Sequence, residues 1–287
     1  MEINKIFNRE CISAMQEIES NSIDCIITDP PYGILTGHKI ETTIDIDLLM
    51  SECFRVLKDD SFLAFCGVMP TISDWYLAAK KAGFVFKEEI IWCKRIMSSP
   101  FAKVSRIKEN IYIMQKGNAQ FYKTDGVYED IKMPLYLDGL LNIETMKRNI
   151  DDLKYAIRHG KKSLIKAKTC KRNDSYYEND NPEKARSNDT CNITNIWSFL
   201  PHNKKGFNKD EFNIKHPTVK PIDLFERLIE LLSKENDTIL DSFIGSGTTA
   251  IAAVNTNRNY LGFELDKQYF DIAEERIRIA KSQLKLF

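Results

Sequence analysis

The sequence has no apolar run approaching the roughly 20 residues that a membrane-spanning helix needs. Its first residues, MEINKIFNRE, show no apolar stretch behind a basic start, so no secretion signal is read and the cytoplasm is the expected compartment. Net charge is also lacking: 41 Lys and Arg balance 41 Asp and Glu. A neutral sum removes any general attraction to nucleic acid, so only the distribution of charge can point to such a partner. The seven cysteines are odd in number and none forms a C-x-x-C pair. A disulfide framework and a zinc site are both disfavoured, and no metal is expected. Most of the cysteines lie in apolar or mixed stretches and read as small buried hydrophobes. No Gly-Lys-Ser or Gly-Lys-Thr occurs, which excludes the phosphate-binding lysine loop. There is no internal repeat. What remains is a 287-residue globular chain, 43% hydrophobic, large enough for one substantial core or a core carrying a smaller module.

Three sections differ in character. Residues 1–117 alternate between strand and helix patterns. Residues 22–28 form a short apolar run that stops at Asp29-Pro30-Pro31, where two prolines end any central strand. Helical spacing over 45–57 places Leu49, Met50, Cys53 and Phe54 on one face. Strands are predicted at 62–66, 89–93 and 110–114, and a helix over 74–82 with Gly83 as its stop. Residues 118–212 are polar, with helical spacing over 143–167 and a long polar loop over 173–195. This section carries Lys154, Arg158, Lys161, Lys162, Lys166, Lys168, Lys171 and Arg172 with no acidic residue between them. Residues 213–287 return to alternation: a helix over 221–233, a strand over 237–241, a glycine loop, a helix from 248, a strand over 259–264 and a final helix over 266–284. Alternating elements imply an α/β fold, a doubly wound and mainly parallel sheet. The middle reads as an insertion into that core.

The glycine loop is Asp241-Ser242-Phe243-Ile244-Gly245-Ser246-Gly247-Thr248-Thr249, between a strand and a helix. Gly245 and Gly247 can adopt positive φ and admit a ligand to the backbone. Glu264 ends the next strand, where an acid suits a ribose diol. One G-x-G is common for purely structural reasons, but the acid at the next strand end favours a nucleoside ligand. The third glycine of the dinucleotide fingerprint is absent, Ala250 being the nearest small residue, so a nicotinamide oxidoreductase is disfavoured. Asp29-Pro30-Pro31-Tyr32 follows its strand at the carboxyl edge of the sheet, where α/β proteins bind ligands. Alone it is a stiff turn. Beside a nucleoside site, Asp29 and the Pro30 carbonyl become acceptors for an amine, and Tyr32 a face for a planar ring.

These motifs together resemble the amino-group DNA methyltransferases, of the branch in which the catalytic motif precedes the cofactor loop. Asp29-Pro30-Pro31-Tyr32 is similar to the catalytic motif, and the loop through Asp241, Phe243, Gly245, Ser246, Gly247 and Thr248 to the cofactor loop. His216-Pro-Thr-Val-Lys220-Pro221 resembles the segment just before that loop, whose His and Lys help hold the methionine end of the cofactor. Ile90-Ile-Trp92-Cys-Lys94 resembles the motif whose aromatic residue lies near the flipped base. At Asn8-Arg9-Glu10-Cys11 the chain departs from the family's Gly-Asp-Cys, in which the Asp meets the adenine amine of the cofactor; Glu10 keeps the charge on a longer arm. The middle section carries no resemblance.

The resemblance implies a methyltransferase fold in permuted motif order. Residues 1–117 would form the catalytic half of the core, 118–212 the target-recognition insertion and 213–287 the cofactor-binding half. It implies S-adenosylmethionine as cofactor, double-stranded DNA as partner, a monomer or homodimer, and room for a companion restriction endonuclease. The reaction would be direct methylation of the exocyclic amine of a flipped-out base, adenine N6 before cytosine N4 because Asp stands first in the motif. No cysteine follows a proline, as C5-cytosine enzymes require. The basic run from Lys154 to Arg172 is the expected phosphate contact, against the alternative of a solvated helix face. Competing readings are an RNA or protein-glutamine methyltransferase and a non-catalytic DNA-binding subunit.

Overall fold

A computed structural model describes residues 1–31, 44–94, 108–122, 196–198 and 219–284. The chain divides into two units, Met1–Val127 with Asn195–Phe287, and Tyr128–Thr194. All described residues belong to the first. The helix expected over 143–167, the polar loop and the basic run lie outside them.

In chain order the first unit contains β1 (Lys5–Phe7), α1 (Cys11–Met15), β2 (Ile23–Thr28), α2 (Ile46–Val56), β3 (Leu57–Gly67), α3 (Thr71–Ala82), β4 (Val85–Cys93), β5 (Lys108–Lys116) and β6 (Ile196–Ser198). These are followed by α4 (Ile222–Leu232), β7 (Thr238–Asp241), α5 (Thr248–Asn255), β8 (Asn259–Phe263) and α6 (Lys267–Leu284). The strands form one eight-stranded sheet in the order β1-β8-β7-β2-β3-β5-β4-β6. Among the described strands only β5 runs antiparallel to its neighbours, β3 and β4. The α/β, mainly parallel reading therefore holds. The strands from the two ends of the sequence meet where β7 lies beside β2. From this pair β7 leads on to β8 on one side and β2 to β3 on the other, and β1 pairs with β8 at the sheet edge. Such a reversal opens a crevice at the carboxyl ends of the two central strands.

Local chemistry explains the elements. β2 is almost continuously apolar, as suits a central strand covered on both faces. Ile26 and Leu240 face a core made with α1, α2 and α3, including Met15, Leu49 and Trp75. Cys25, Ile27 and Ile239 alternate with them, point to the opposite face and are as deeply buried. On that side α4 packs against α5, and they contact β2 and β7 respectively. The carboxylate of Asp45 caps α2 by accepting from the Leu48 amide at 3.0 Å. α3 stops at Gly83, which takes the left-handed conformation with φ 113°. The cysteines Cys11, Cys25, Cys53, Cys66 and Cys93 are buried and free. No described helix is long and apolar enough to cross a membrane.

Three elements were not anticipated. β1, α1 and β6 have three, five and three residues, too short for a periodic pattern to register. β6 joins the sheet by pairing with β4, Trp197 opposite Trp92. The buried Trp197 ring lies under the Arg227 guanidinium, 4.4 Å from its centroid. That aromatic is thus part of the core.

Candidate active site

Because β1, β8, β7 and β2 are parallel, their carboxyl ends share one edge of the sheet. Glu264 follows β8, the glycine loop follows β7 and Asp29 follows β2. Glu10 lies three residues beyond β1.

The loop is held from below by Asp241. This carboxylate is buried and accepts from the Thr28 hydroxyl at 2.8 Å, the Thr249 hydroxyl at 2.5 Å and the Phe243 amide at 2.9 Å. Thr28 is the last residue of β2, so one hydrogen bond joins the two central strands beneath the crevice. Burial outweighs these donors and raises the Asp241 carboxyl to about 6. Gly245 and Gly247 have φ of 52° and 86°. A Cβ on Gly247 would lie 3.1 Å from the Ala273 Cβ, so both conformation and packing require glycine there. The Arg276 guanidinium, buried against the loop, donates to the Ser246 carbonyl at 2.6 Å and its hydroxyl at 3.0 Å. Thr248 opens α5, and its hydroxyl lies 3.5 Å from the Lys220 carbonyl.

Glu264 reaches back over the loop. One carboxylate oxygen accepts from the Gly245 amide at 3.0 Å and the other from the Asp266 amide at 2.8 Å. Burial raises its pKa against these two bonds. A carboxylate has about four lone-pair directions, so each oxygen keeps capacity for a ligand hydroxyl. A rigid acid beside a glycine turn open to backbone approach fits the ribose of a nucleoside. Glu10 caps α1, its two oxygens accepting from the Ile12 and Ser13 amides, each at 2.8 Å. Burial opposes ionisation, but those amides hold the Glu10 carboxyl below its ordinary value. The carboxylate thus lies at the start of α1, just beyond β1.

On the other side of the crevice the charges are full ones. The Lys220 ammonium pairs with the Asp29 carboxylate and lies 3.4 Å from Glu109. Glu109 also pairs with Lys94. Lys220 and Glu109 are 6% and 8% exposed. Burial disfavours both charges, yet the Asp29 and Glu109 carboxylates raise the Lys220 pKa, and Lys220 and Lys94 hold Glu109 below the usual carboxylate range. The Lys94 and Lys220 ammoniums sit 5.2 Å and 6.0 Å from the centroid of Trp92, which is buried. Cys66, at the end of β3, feels the charges of Asp29 and Lys220, but burial pushes its thiol well above its ordinary value, so it is no thiolate nucleophile.

The structure thus brings Asp29, Pro30, Pro31, Glu10, Lys220, Trp92, the glycine loop and Glu264 to one sheet edge. Lys220, expected to hold the methionine end of a cofactor, pairs with Asp29 in this structure. Trp92 backs the charged cluster with a covered ring. Tyr32, His216 and the run Lys154 to Arg172 lie outside the described residues. Glu109 and Lys94 were missed as site residues, as were Thr28, Thr249 and Arg276. Glu109 lies directly opposite Trp92 in the β4–β5 ladder, a pairing that the sequence does not display.

The fold and this edge define an α/β transferase-type core: a nucleoside cradle beside a stiff, carboxylate-bearing turn. The family model described as DNA methylase matches residues 23–275, and the chain belongs to that family. It is 27% identical over 277 residues to the Type II methyltransferase M.HpaI of Haemophilus parainfluenzae, covering 93% of this chain and 71% of that one. It is 25% identical over 288 residues to the DNA adenine methyltransferase YhdJ of Escherichia coli (strain K12), covering 97% and 84%. The solved structure of an M1.HpyAVI-SAM complex superposes with a TM-score of 0.56 at 20% identity, covering 95% of this chain and 98% of that one.

Proposed function

We propose that this chain methylates the exocyclic amine of a DNA base, adenine N6, with S-adenosylmethionine as the methyl donor. The observation that carries the reading is the placement of Asp29 at the β2–β7 crevice, one residue beyond the Thr28 that is bonded to Asp241 under the glycine loop. Amine acceptor and nucleoside cradle are thereby held in one frame. The likeness to a DNA adenine methyltransferase supports adenine, as does Asp at the first motif position.

In this reading Glu264 binds the ribose hydroxyls and Gly245 to Thr248 wrap the nucleoside. Glu10 accepts from its adenine amine. When bound, S-adenosylmethionine supplies an electrophilic methyl group on a sulfonium sulfur. Asp29 and the Pro30 carbonyl accept hydrogen bonds from the target amine and so turn its lone pair toward that methyl group. Transfer would form the nitrogen–carbon bond as the sulfur–carbon bond breaks and a neutral thioether leaves; the Asp29 carboxylate would stabilise the positive charge that appears on the amine until the amine releases a proton to solvent. Tyr32 stacks on the flipped base. Lys220 holds the Asp29 carboxylate in place by pairing with it. Residues 118–212 carry target recognition, with Lys154 to Arg172 on the phosphates.

Incubation with duplex DNA and methyl-labelled S-adenosylmethionine, followed by digestion to nucleosides, tests this. Labelled N6-methyldeoxyadenosine is expected. Label in N4-methyldeoxycytidine would overturn the choice of base, and cofactor binding with no labelled nucleoside would favour a non-catalytic subunit. Changing Lys161, Lys162 and Lys166 together to Glu should abolish DNA binding and leave cofactor binding intact; unchanged DNA affinity at moderate salt contradicts the phosphate role.

A further inference from the structure

The charged cluster behind Asp29 is larger than a catalytic carboxylate needs. Asp29 and Glu109 supply two negative charges, Lys220 and Lys94 two positive ones, and the four are linked in the order Asp29–Lys220–Glu109–Lys94. The side chains of Asp29 and Lys94, at the two ends, are 20% and 18% exposed, against 6% for Lys220 and 10% for Glu109 between them. The far members are anchored on strands: Glu109 on β5 and Lys94 just past β4, whose ladder puts Trp92 opposite Glu109. Lys220 precedes α4 by two residues, and its ammonium is held by Asp29 and Glu109.

An ammonium hydrogen-bonded to Asp29 has two opposed effects. It holds the carboxylate in place, and it draws off the electron density that the amine must find there. A second carboxylate on the same ammonium offsets the second effect, because Lys220 then divides its attraction between two anions. It also fixes where the ammonium sits, and with it which Asp29 oxygen faces the crevice.

We infer that Glu109 is a positioning residue for methyl transfer, acting on Asp29 through Lys220. The inference rests on the reading of Asp29 as acceptor of the target amine. Glu109 touches neither base nor cofactor in this arrangement. Its loss lowers turnover at saturating substrates and leaves the affinities alone.

The test uses the full chain with Asp29→Ala, Glu109→Gln, Glu109→Asp, Lys220→Gln and the double variant Glu109→Gln/Lys220→Gln. Methyl transfer is measured at saturating DNA and S-adenosylmethionine, and cofactor affinity separately. Glu109→Gln should lower kcat about 30-fold or more, with the cofactor Kd and the DNA KM within about threefold of wild type; 30-fold corresponds to about 2 kcal/mol in the barrier. Glu109→Asp, which restores the charge on a shorter arm, should recover part of kcat and keeps the question decidable if the amide variant does not fold. In the Lys220→Gln background, adding Glu109→Gln should cost less than about threefold more, because the intermediary is already gone. An unchanged kcat in Glu109→Gln, a parallel loss of cofactor affinity, or the same fold-loss with and without Lys220 would overturn the proposal. If Asp29→Ala retains wild-type turnover, the reading of Asp29 itself fails. If Asp29→Ala is inactive while Glu109→Gln is fully active, only the role of Glu109 fails.

Discussion

The two halves of the crevice hold their carboxylates by opposite means. On the β7–β8 side, Asp241 and Glu264 are bound by backbone amides and threonine hydroxyls, and burial raises both pKa values. On the β2–β5 side, Asp29 and Glu109 are bound by lysine ammoniums, and Glu109 is held low despite similar burial. Neutral donors suit groups that shape a loop and meet hydroxyls, since they add no charge beside an uncharged sugar. Full cations suit a group that must be ionised when an amine nitrogen becomes positive. The same residue types thus serve as scaffold on one side and as charge on the other, and the Thr28–Asp241 hydrogen bond keeps the sides in register.

That contrast is open to attack first on the cofactor side. Gly247→Val puts a branched side chain at φ 86° and against Ala273. It should weaken S-adenosylmethionine binding about 100-fold or more, about 2.8 kcal/mol, in a calorimetric titration; an affinity near that of wild type would remove the loop from the binding site. Glu264→Gln is milder. Its amide group would face either the Gly245 or the Asp266 N–H, donor against donor, and offers fewer lone pairs to a ribose. A loss of about 10-fold in cofactor affinity, with kcat at saturation within about threefold, is expected; a fall in kcat alone would blur the division of labour.

Asp241→Asn should have the smallest effect on binding, less than about threefold, because the amide oxygen can keep the Phe243 bond while the Thr249 hydroxyl reorients to accept. Its signature lies in stability. Asp241 has its carboxyl raised from 3.8 to about 6 in the fold, so folding favours the protonated acid. Its stabilising contribution is complete below about pH 4 and is lost as pH rises through about 6. The Asn variant, neutral throughout, should therefore gain stability relative to wild type between pH 4.5 and 7.5, measured as the difference in urea midpoints. A difference independent of pH would show that Asp241 is as easily ionised as a surface acid.

Much of this was legible in the sequence for a stated reason. Long or strongly punctuated elements carry their own signal: the apolar run of β2 stopped by Pro30-Pro31, the spacing of Leu49, Met50 and Cys53 on α2, and Gly83 at the end of α3. The glycine loop was readable because its glycines and Glu264 are close in sequence and each type is demanded by local geometry. What escaped was non-local. Glu109 and Lys94 become site residues only because β5 lies antiparallel to β4 and Lys220 arrives from the far end of the chain. Thr28 looks like an ordinary strand residue until β7 lies beside it. The departure at Glu10 was visible, but that its carboxylate caps a five-residue helix needed the helix.

The measurement that bears most directly on the account is paired on one variant, Asp29→Ala: S-adenosylmethionine affinity by calorimetry, and methyl transfer to duplex DNA at saturating cofactor. The account predicts a cofactor Kd within about threefold of wild type and turnover reduced by about 1000-fold or more, about 4 kcal/mol of lost transition-state stabilisation. Turnover within about 10-fold of wild type, or cofactor binding lost together with turnover, would contradict it.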